Sequence, residues 1–231
     1  MEMFDIYNEH WELIGVAARK EVHRLGLRHR TFHCWLITDR AGQPCVRFQK
    51  RQLGKDTYPG YLDITAAGHL TAGEGIRDAM REIEEELGVA AVFEELVPIG
   101  SHEERAVGTA GGIDFIDHER SDEFALRCNL PLLEHRLQRD EVAGIYEASL
   151  DDLIRLFEGI TEKIEAEGAE WAAADGESGG VQLEHQAASG LTSVRLQVRA
   201  EDFVPRQNGY YADLFRRLRK LAGMGADQLQ D

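Results

Sequence analysis

The chain has 231 residues, of which 43% are hydrophobic, and a formal net charge of −16. That length allows one large domain, or one domain with an elaboration, and a sizeable core. The acidic balance excludes broad binding to duplex nucleic acid, because neutralising phosphates needs a basic surface. A small polyphosphate stays within reach through a local basic patch and a metal ion. No apolar run approaches the roughly 18 residues of a membrane span, so no membrane partner is expected. Cys34, Cys45 and Cys128 are far apart and make no metal spacing. An odd count without a framework predicts a reducing compartment. The acidic start MEMFDIYNEHWE has no signal-peptide character, so the expected location is cytoplasmic.

Phe4, Ile6 and Tyr7 predict a short first strand. The stretch from Glu21 to Arg30 is basic and rich in histidine, unlike the rest of the chain. It is either a phosphate or metal contact or a solvated loop with incidental histidines. Residues 31–38 and 44–51 predict strands from their β-branched and aromatic content, with Asp39 to Gln43 as the turn. In the second strand Arg47, Gln49 and Arg51 share one face. Arginines there suit a diphosphate, which a guanidinium grips bidentately; the other reading is the polar outer face of an edge strand. Pro59-Gly60 marks a turn, and residues 61–67 predict a short strand that delivers Gly68.

From about Gly75 to Leu87 the spacing predicts a helix. Ile76, Met80, Ile83 and Leu87 recur on its apolar face, and Gly88 is placed to stop it. Glu82, Glu85 and Glu86 stand at i, i+3 and i+4, so three carboxylates share another face. Like charges on one turn repel. A hard divalent cation removes the conflict, because Mg²⁺ takes oxygen ligands and is shared between carboxylates and substrate phosphates. An isolated glutamate run would more simply be a solvated face.

This run is not isolated. Gly68, five residues, Glu74, then Arg81-Glu82-Ile83-Glu84-Glu85-Glu86-Leu87-Gly88-Val89 resembles the Nudix signature. Six residues separate Glu74 from Arg81, one fewer than the signature's usual spacing, which puts the pairing of Glu74 with Arg81 in question. Lys55-Asp56-Thr57-Tyr58-Pro59-Gly60, then Ala66-Ala67-Gly68-His69, is similar to the Nudix branch of the isopentenyl-diphosphate isomerases, as is His23 with His29-Arg30-Thr31-Phe32. In those isomerases a cysteine that moves a proton stands immediately before Gly-His. Here that residue is Ala67, which has no proton to move.

The resemblance implies an α/β (α+β) fold, a Nudix-like α/β/α sandwich with a mixed sheet, over residues 1–160. Residues 161–231 form a C-terminal α/β elaboration with strands and a final helix, packed on the same domain. It implies a metal-dependent hydrolase that cleaves the diphosphate of a nucleoside diphosphate linked to another group, or of a related organic diphosphate. The cofactor is Mg²⁺, with Mn²⁺ as a substitute. Glu82, Glu85 and Glu86 carry the metal, with the Gly68 carbonyl as a further ligand. Glu85 or Glu86 orients the base, and Arg81 orients the helix carboxylates. His69 contacts phosphate or metal, or is a loop histidine. Arg47 and Arg51 are the candidate substrate-binding pair. The alternatives are an isomerase of isoprenoid diphosphates and a non-catalytic nucleotide-binding Nudix module. A homodimer is compatible with the sequence.

Further along, residues 92–100 predict a strand, followed by a Gly-rich turn and a second strand over residues 112–118. Residues 117–124 are charged. Nudix proteins often use a carboxylate outside the signature as base or extra ligand. Glu123, just before the next expected strand, is the candidate, with Glu119 second; the simpler reading is a charged hairpin turn. Ile145 to Ala148 predicts a last core strand, and Ser149 can cap a helix whose buried face is Leu150, Leu153, Ile154 and Phe157. Residues 172–180 are small and polar, hence a linker, between strands at about 162–171 and 181–186. Val194, Leu196 and Val198 alternate with Arg195, Gln197 and Arg199 as a third strand. Tyr210 to Leu221 predicts a final helix with Leu214, Leu218 and Leu221 on one side and a basic face opposite.

Overall fold

A computed structural model describes residues 2–110, 112–172, 189–207 and 209–224. Alternating apolar positions draw most of the chain into one mixed sheet. Its elements are β1 (Met3–Tyr7), β2 (Leu13–Ala18), α1 (Arg19–Leu25), β3 (Arg28–Arg40), β4 (Gln43–Arg51), β5 (Leu62–Asp63), β6 (Ala66–His69), α2 (Arg81–Leu87), β7 (Val97–Ala110), β8 (Ile113–Arg127), β9 (Val142–Ser149), α3 (Leu150–Phe157), β10 (Ile164–Trp171), β11 (Leu191–Val198) and α4 (Tyr210–Ala222). The main path runs β11-β10-β9-β4-β3-β1-β2, with β5 on β4, β6 on β3, and the β7–β8 hairpin joined to β3 through β8. The β3–β8 pair is parallel and the other pairs are antiparallel.

Strand β3 explains the layering. Its Phe32, Cys34 and Leu36 point into a core shared with Ala79, Ile83 and Leu87 of the α2 segment. Trp35 and Ile37 point the other way, into a core with Leu150 and Leu153 of α3 and Leu214, Phe215 and Leu218 of α4. Period-2 alternation thus gives the strand two buried faces. Ser149 caps α3 as expected, its Oγ accepting a 3.4 Å hydrogen bond from the Asp152 N–H. Strands β10 and β11 extend the sheet at β9, and α4 packs against α3.

Several elements differ from expectation. The histidine-rich stretch over residues 21–30 is helix α1 and the start of β3, not a loop. The predicted strand over residues 61–67 is two short strands, β5 and β6. The helix expected from Gly75 begins only at Arg81, after a 3-10 turn over Asp78–Met80. Gly75 and the Asp78 carboxylate, which accepts the Gly75 N–H at 2.8 Å, make a turn in place of the first helical residues. Residues 93–95 form a 3-10 turn ahead of β7. The charged stretch over residues 117–124 is not a turn but the middle of the 15-residue strand β8. Its polar residues face a buried polar layer, with Thr31 and His33 of β3 beside Ser121 and Glu123, that local pattern does not reveal. Most of the expected linker over residues 172–180, and the expected strand at 181–186, lie outside the described residues.

Candidate active site

Helix α2 is short and firmly held at its C-terminal end. Gly88 adopts φ +67° and donates its N–H to the Glu84 carbonyl at 2.9 Å. The remaining carbonyls would be orphans. They are taken by the loop before β9: Arg136 N–H reaches the Leu87 oxygen at 3.2 Å and Gln138 N–H the Glu86 oxygen at 2.9 Å. His135 Nδ1 donates to the same Leu87 carbonyl at 3.0 Å, while its Nε2 accepts from Arg47 at 2.7 Å. Burial, with Arg47 adding to it, lowers the His135 pKa to about 4, so the ring is neutral.

The helix presents its three glutamates in graded exposure. Glu86 is buried, the Glu82 side chain is 15% exposed and that of Glu85 is 55% exposed. Burial pushes the Glu86 carboxyl up to about 8, and the neighbouring Glu82 charge contributes in the same direction. Burial likewise raises Glu82. A side chain at Gly68 would put its Cβ 2.3 Å from the Glu82 carboxyl carbon, so β6 approaches the helix as closely as only glycine permits. Buried carboxylates with raised pKa against a bare backbone are a donor set that a hard divalent cation relieves. The residues present therefore fit Mg²⁺ or Mn²⁺.

Arg81 locks this face. Its Nε and Nη2 donate to Glu74 at 3.1 and 3.3 Å, and its Nη1 lies 2.7 Å from Glu82 and 3.4 Å from Glu85. The short spacer between Glu74 and Arg81 still lets the two meet, because the chain turns back through Gly75 and the 3-10 segment. Burial alone would raise Glu74; hydrogen bonds from Arg81 and from the Thr71 N–H outweigh it and hold the carboxylate below its usual range.

The opposite face of the sheet carries a second group. His23, His29 and His69 each offer a ring nitrogen within 4.8 Å of the others, and His29, Asp117 and Glu119 make a second such set. Burial lowers the pKa of all three imidazoles and raises Glu119 to about 8, with Asp117 next to it. The rings are thus neutral and ready to donate lone pairs. Phe4 stacks on His69 with ring centres 4.6 Å apart and on His29 at 5.4 Å, which orients the rings. Imidazoles with carboxylates suit a borderline transition ion better than Mg²⁺.

The residues expected from sequence divide between these faces. Glu82, Glu85, Glu86, Arg81 and Gly68 come together at α2. His69 follows Gly68 in β6 but joins the histidine group. Glu123 is fully buried on the α4 side, with Arg217 Nη1 3.3 Å from its Oε2, and is not brought to α2. Arg47 is buried and engaged by Glu147 at 3.1 Å and by His135. Arg51 pairs with Asp63 at 3.0 Å and with the Thr57 carbonyl. Sequence reasoning missed Asp117, His135 and Arg206. The alternation Asp117, Glu119, Ser121, Glu123 along one strand would have signalled the first; nothing local signals the others.

The NUDIX domain family model matches residues 27–168. An uncharacterised Nudix hydrolase of Clostridium acetobutylicum is 35% identical over 218 residues, 94% of this chain and 97% of that protein. Nudix hydrolase 3 of Arabidopsis thaliana is 35% identical over 148 residues, 62% of this chain and 19% of that protein. The crystal structure of DR0079 from Deinococcus radiodurans aligns with a TM-score of 0.46 at 20% identity, over 68% of this chain and 90% of the other.

Proposed function

Because the chain belongs to the Nudix hydrolase family, we propose that it is a divalent-metal-dependent enzyme that splits the diphosphate of a small organic substrate, a nucleoside diphosphate linked to a second group X or a related diphosphate. The observation that carries this reading is the carboxylate face of α2, where buried Glu86 and Glu82 meet the side-chain-free backbone at Gly68. Glu82, Glu86 and the Gly68 carbonyl would hold Mg²⁺ or Mn²⁺. When bound, such an ion neutralises phosphoryl oxygens and lowers the pKa of water. Glu85 is the most exposed of the three carboxylates and is the one free to take a proton from the attacking water. Arg81, tied to Glu74, keeps Glu82 and Glu85 from turning away. The histidine group with Asp117 and Glu119 would hold a second, softer ion.

Ala67 argues against the isomerase alternative, since the position has no proton donor. The framework similar to that branch, from Lys55 to Gly60 and from Ala66 to His69, is then a scaffold for hydrolysis. The free thiols of Cys34, Cys45 and Cys128 suit a reducing cytoplasm. No helix among the described residues is long and apolar enough to cross a membrane.

The test is phosphate release with Mg²⁺ or Mn²⁺ across nucleotides, nucleotide-sugars, dinucleoside polyphosphates and isoprenoid diphosphates, run beside Glu85→Gln. Turnover that vanishes in the variant supports the reading. Conversion of an isoprenoid diphosphate to a product of unchanged mass, or turnover that persists in Glu85→Gln, overturns it.

A further inference from the structure

The edge of the sheet at β2 lacks the usual guards of an open edge. The strand order ends at β2, and among the described residues no strand pairs with its far side. Edge strands are ordinarily protected by lysine, proline or other charge, because their open peptide groups are a template for another strand. Leu13–Ala18 reads LIGVAA and holds no charge and no proline. Its bulge, opposite Ile6 and Tyr7, lies at the start of the strand and leaves Gly15 to Ala18 regular. Leu13, Ile14 and Val16 are 60%, 61% and 52% exposed. Single exposed apolar side chains are ordinary, but three large ones within four residues form a patch. Helix α1 follows directly and covers a different surface: its Val22 is buried with Phe4 and Ala17 on the inner face of the β1–β2 pair.

The open edge has a defined hydrogen-bonding phase. Arg19 donates its N–H to the Glu2 carbonyl at 3.0 Å. By antiparallel alternation Ala17 and Gly15 then turn their peptide groups toward β1, and the N–H and C=O of Val16 point outward. A groove would take many apolar ligands, but an outward peptide edge calls for another strand.

We propose that β2 is the docking edge for a second copy of this chain, paired antiparallel about a two-fold axis at Val16. A strand that pairs with itself about such an axis is complementary by symmetry, and the contact closes at two copies. Val16 of each copy exchanges two hydrogen bonds with Val16 of the other, and Ile14 comes opposite Ala18. The exposed apolar side chains of both copies then lie along one continuous sheet. Charge selects this register. A two-fold axis at Gly15 would set Glu12 opposite Ala18, whereas the axis at Val16 sets the exposed Glu12 of each copy opposite the exposed Lys20 of the other. Two chains of net charge −16 repel, and the segment that follows β2, with Arg19, Lys20 and Arg24, is where that repulsion is least. The edge stands one strand away from the histidine group, since β1 carries the Phe4 that stacks on His29 and His69. The inference is independent of the hydrolase reading. One strand per copy is a small interface, so a dissociation constant on the order of micromolar is expected.

Sedimentation equilibrium of the full chain, from low to high micromolar, tests this. The wild type should shift from the 26.0 kDa of one chain to twice that mass. Val16→Lys places two like charges at the axis and should leave only monomer, with an unfolding midpoint equal to that of the wild type at a dilution where both are monomeric. Glu12→Lys and Lys20→Glu should each weaken the dimer by about tenfold, because the two-fold axis repeats the pair, and the double exchange should restore it. A wild type that stays monomeric, assembles beyond two copies, or remains dimeric in Val16→Lys would overturn the proposal. Single exchanges without effect, or a double exchange that fails to restore the dimer, would overturn it as well.

Discussion

The two faces of the sheet are built on opposite terms. On the α2 side every support is satisfied: the helix end is closed by Gly88 and the loop bearing His135, Arg136 and Gln138, and Arg81 is tied to Glu74. On the α4 side the histidine group buries the Nε2 atoms of His23, His29 and His69 and one Asp117 oxygen with no hydrogen-bond partner among the described residues. The α2 side is rigid and holds its carboxylates against one another before any ligand arrives. The histidine group on the α4 side keeps ring nitrogens and a carboxylate close enough together that a bound ion would satisfy them. Preorganisation belongs where charge must be stabilised in a transition state; unmet lone pairs belong where an ion is taken up.

The sharpest way to break this contrast is to remove one carboxylate from each side. Glu86→Gln should lower kcat/KM by about a thousandfold or more, because it takes away a group that neutralises transition-state charge. Glu123→Gln, buried on the other face and paired with Arg217, should change kcat/KM by no more than roughly tenfold. Steady-state kinetics on both decides it, and an equal collapse of kcat in the two variants would merge the faces into one catalytic unit.

A second effect follows from His135. Burial lowers its folded-state pKa to about 4 from the ordinary imidazole value of 6.5. Between those values the unfolded chain binds more protons, so stability present above about pH 6.5 is lost as pH falls toward 4. At the full shift this amounts to about 3 kcal/mol. Urea unfolding at pH 7 and pH 4.5 should show the loss in the wild type and a flatter profile in His135→Asn. Gly88→Ala should cost about 1–2 kcal/mol, since alanine is strained at positive φ and its Cβ would meet Arg136 Cβ at 2.6 Å; the unfolding midpoint measures it.

The smallest effect concerns the second ion. Mn²⁺ or Zn²⁺ should raise the unfolding midpoint of the wild type through two classes of site. His29→Asn should remove one class and about 3 °C of that gain. Glu82→Gln should remove the other, and metal analysis of the dialysed proteins counts what remains. Identical metal content in wild type and His29→Asn would show that the imidazole group is a hydrogen-bonding site alone.

Much of the α2 side was legible in the sequence because its logic is local. The i, i+3, i+4 spacing of Glu82, Glu85 and Glu86 and the stop at Gly88 depend on neighbours within a few residues, as does the cap of α3 at Ser149 on the other face. The helix starts later than its spacing predicts because Gly75 and Asp78 form a turn whose hydrogen bond competes with the first helical one. Arg47 and Arg51 share a face in the sequence pattern, but no such pattern shows that Glu147, His135 and Asp63 already engage them. Residues 117–124 looked like a turn because charge is the usual mark of solvent; their place in the middle of β8 becomes visible only once β3 and β7 flank them.

By itself the sequence determined the family signature: a glycine, an Arg–Glu pair and three glutamates at fixed spacing, which helix geometry turns into one carboxylate face. It also set the alternation that gives β3 two buried faces. Tertiary structure alone decided which side of the sheet each polar residue serves. His23, His29 and His69 meet Asp117 and Glu119 only through the pairing of β3 with β6 and β8. Arg206 and Tyr210 reach the same face from more than eighty residues downstream of Glu123. Contacts of that sequence separation are fixed by packing and strand register, which no local spacing encodes.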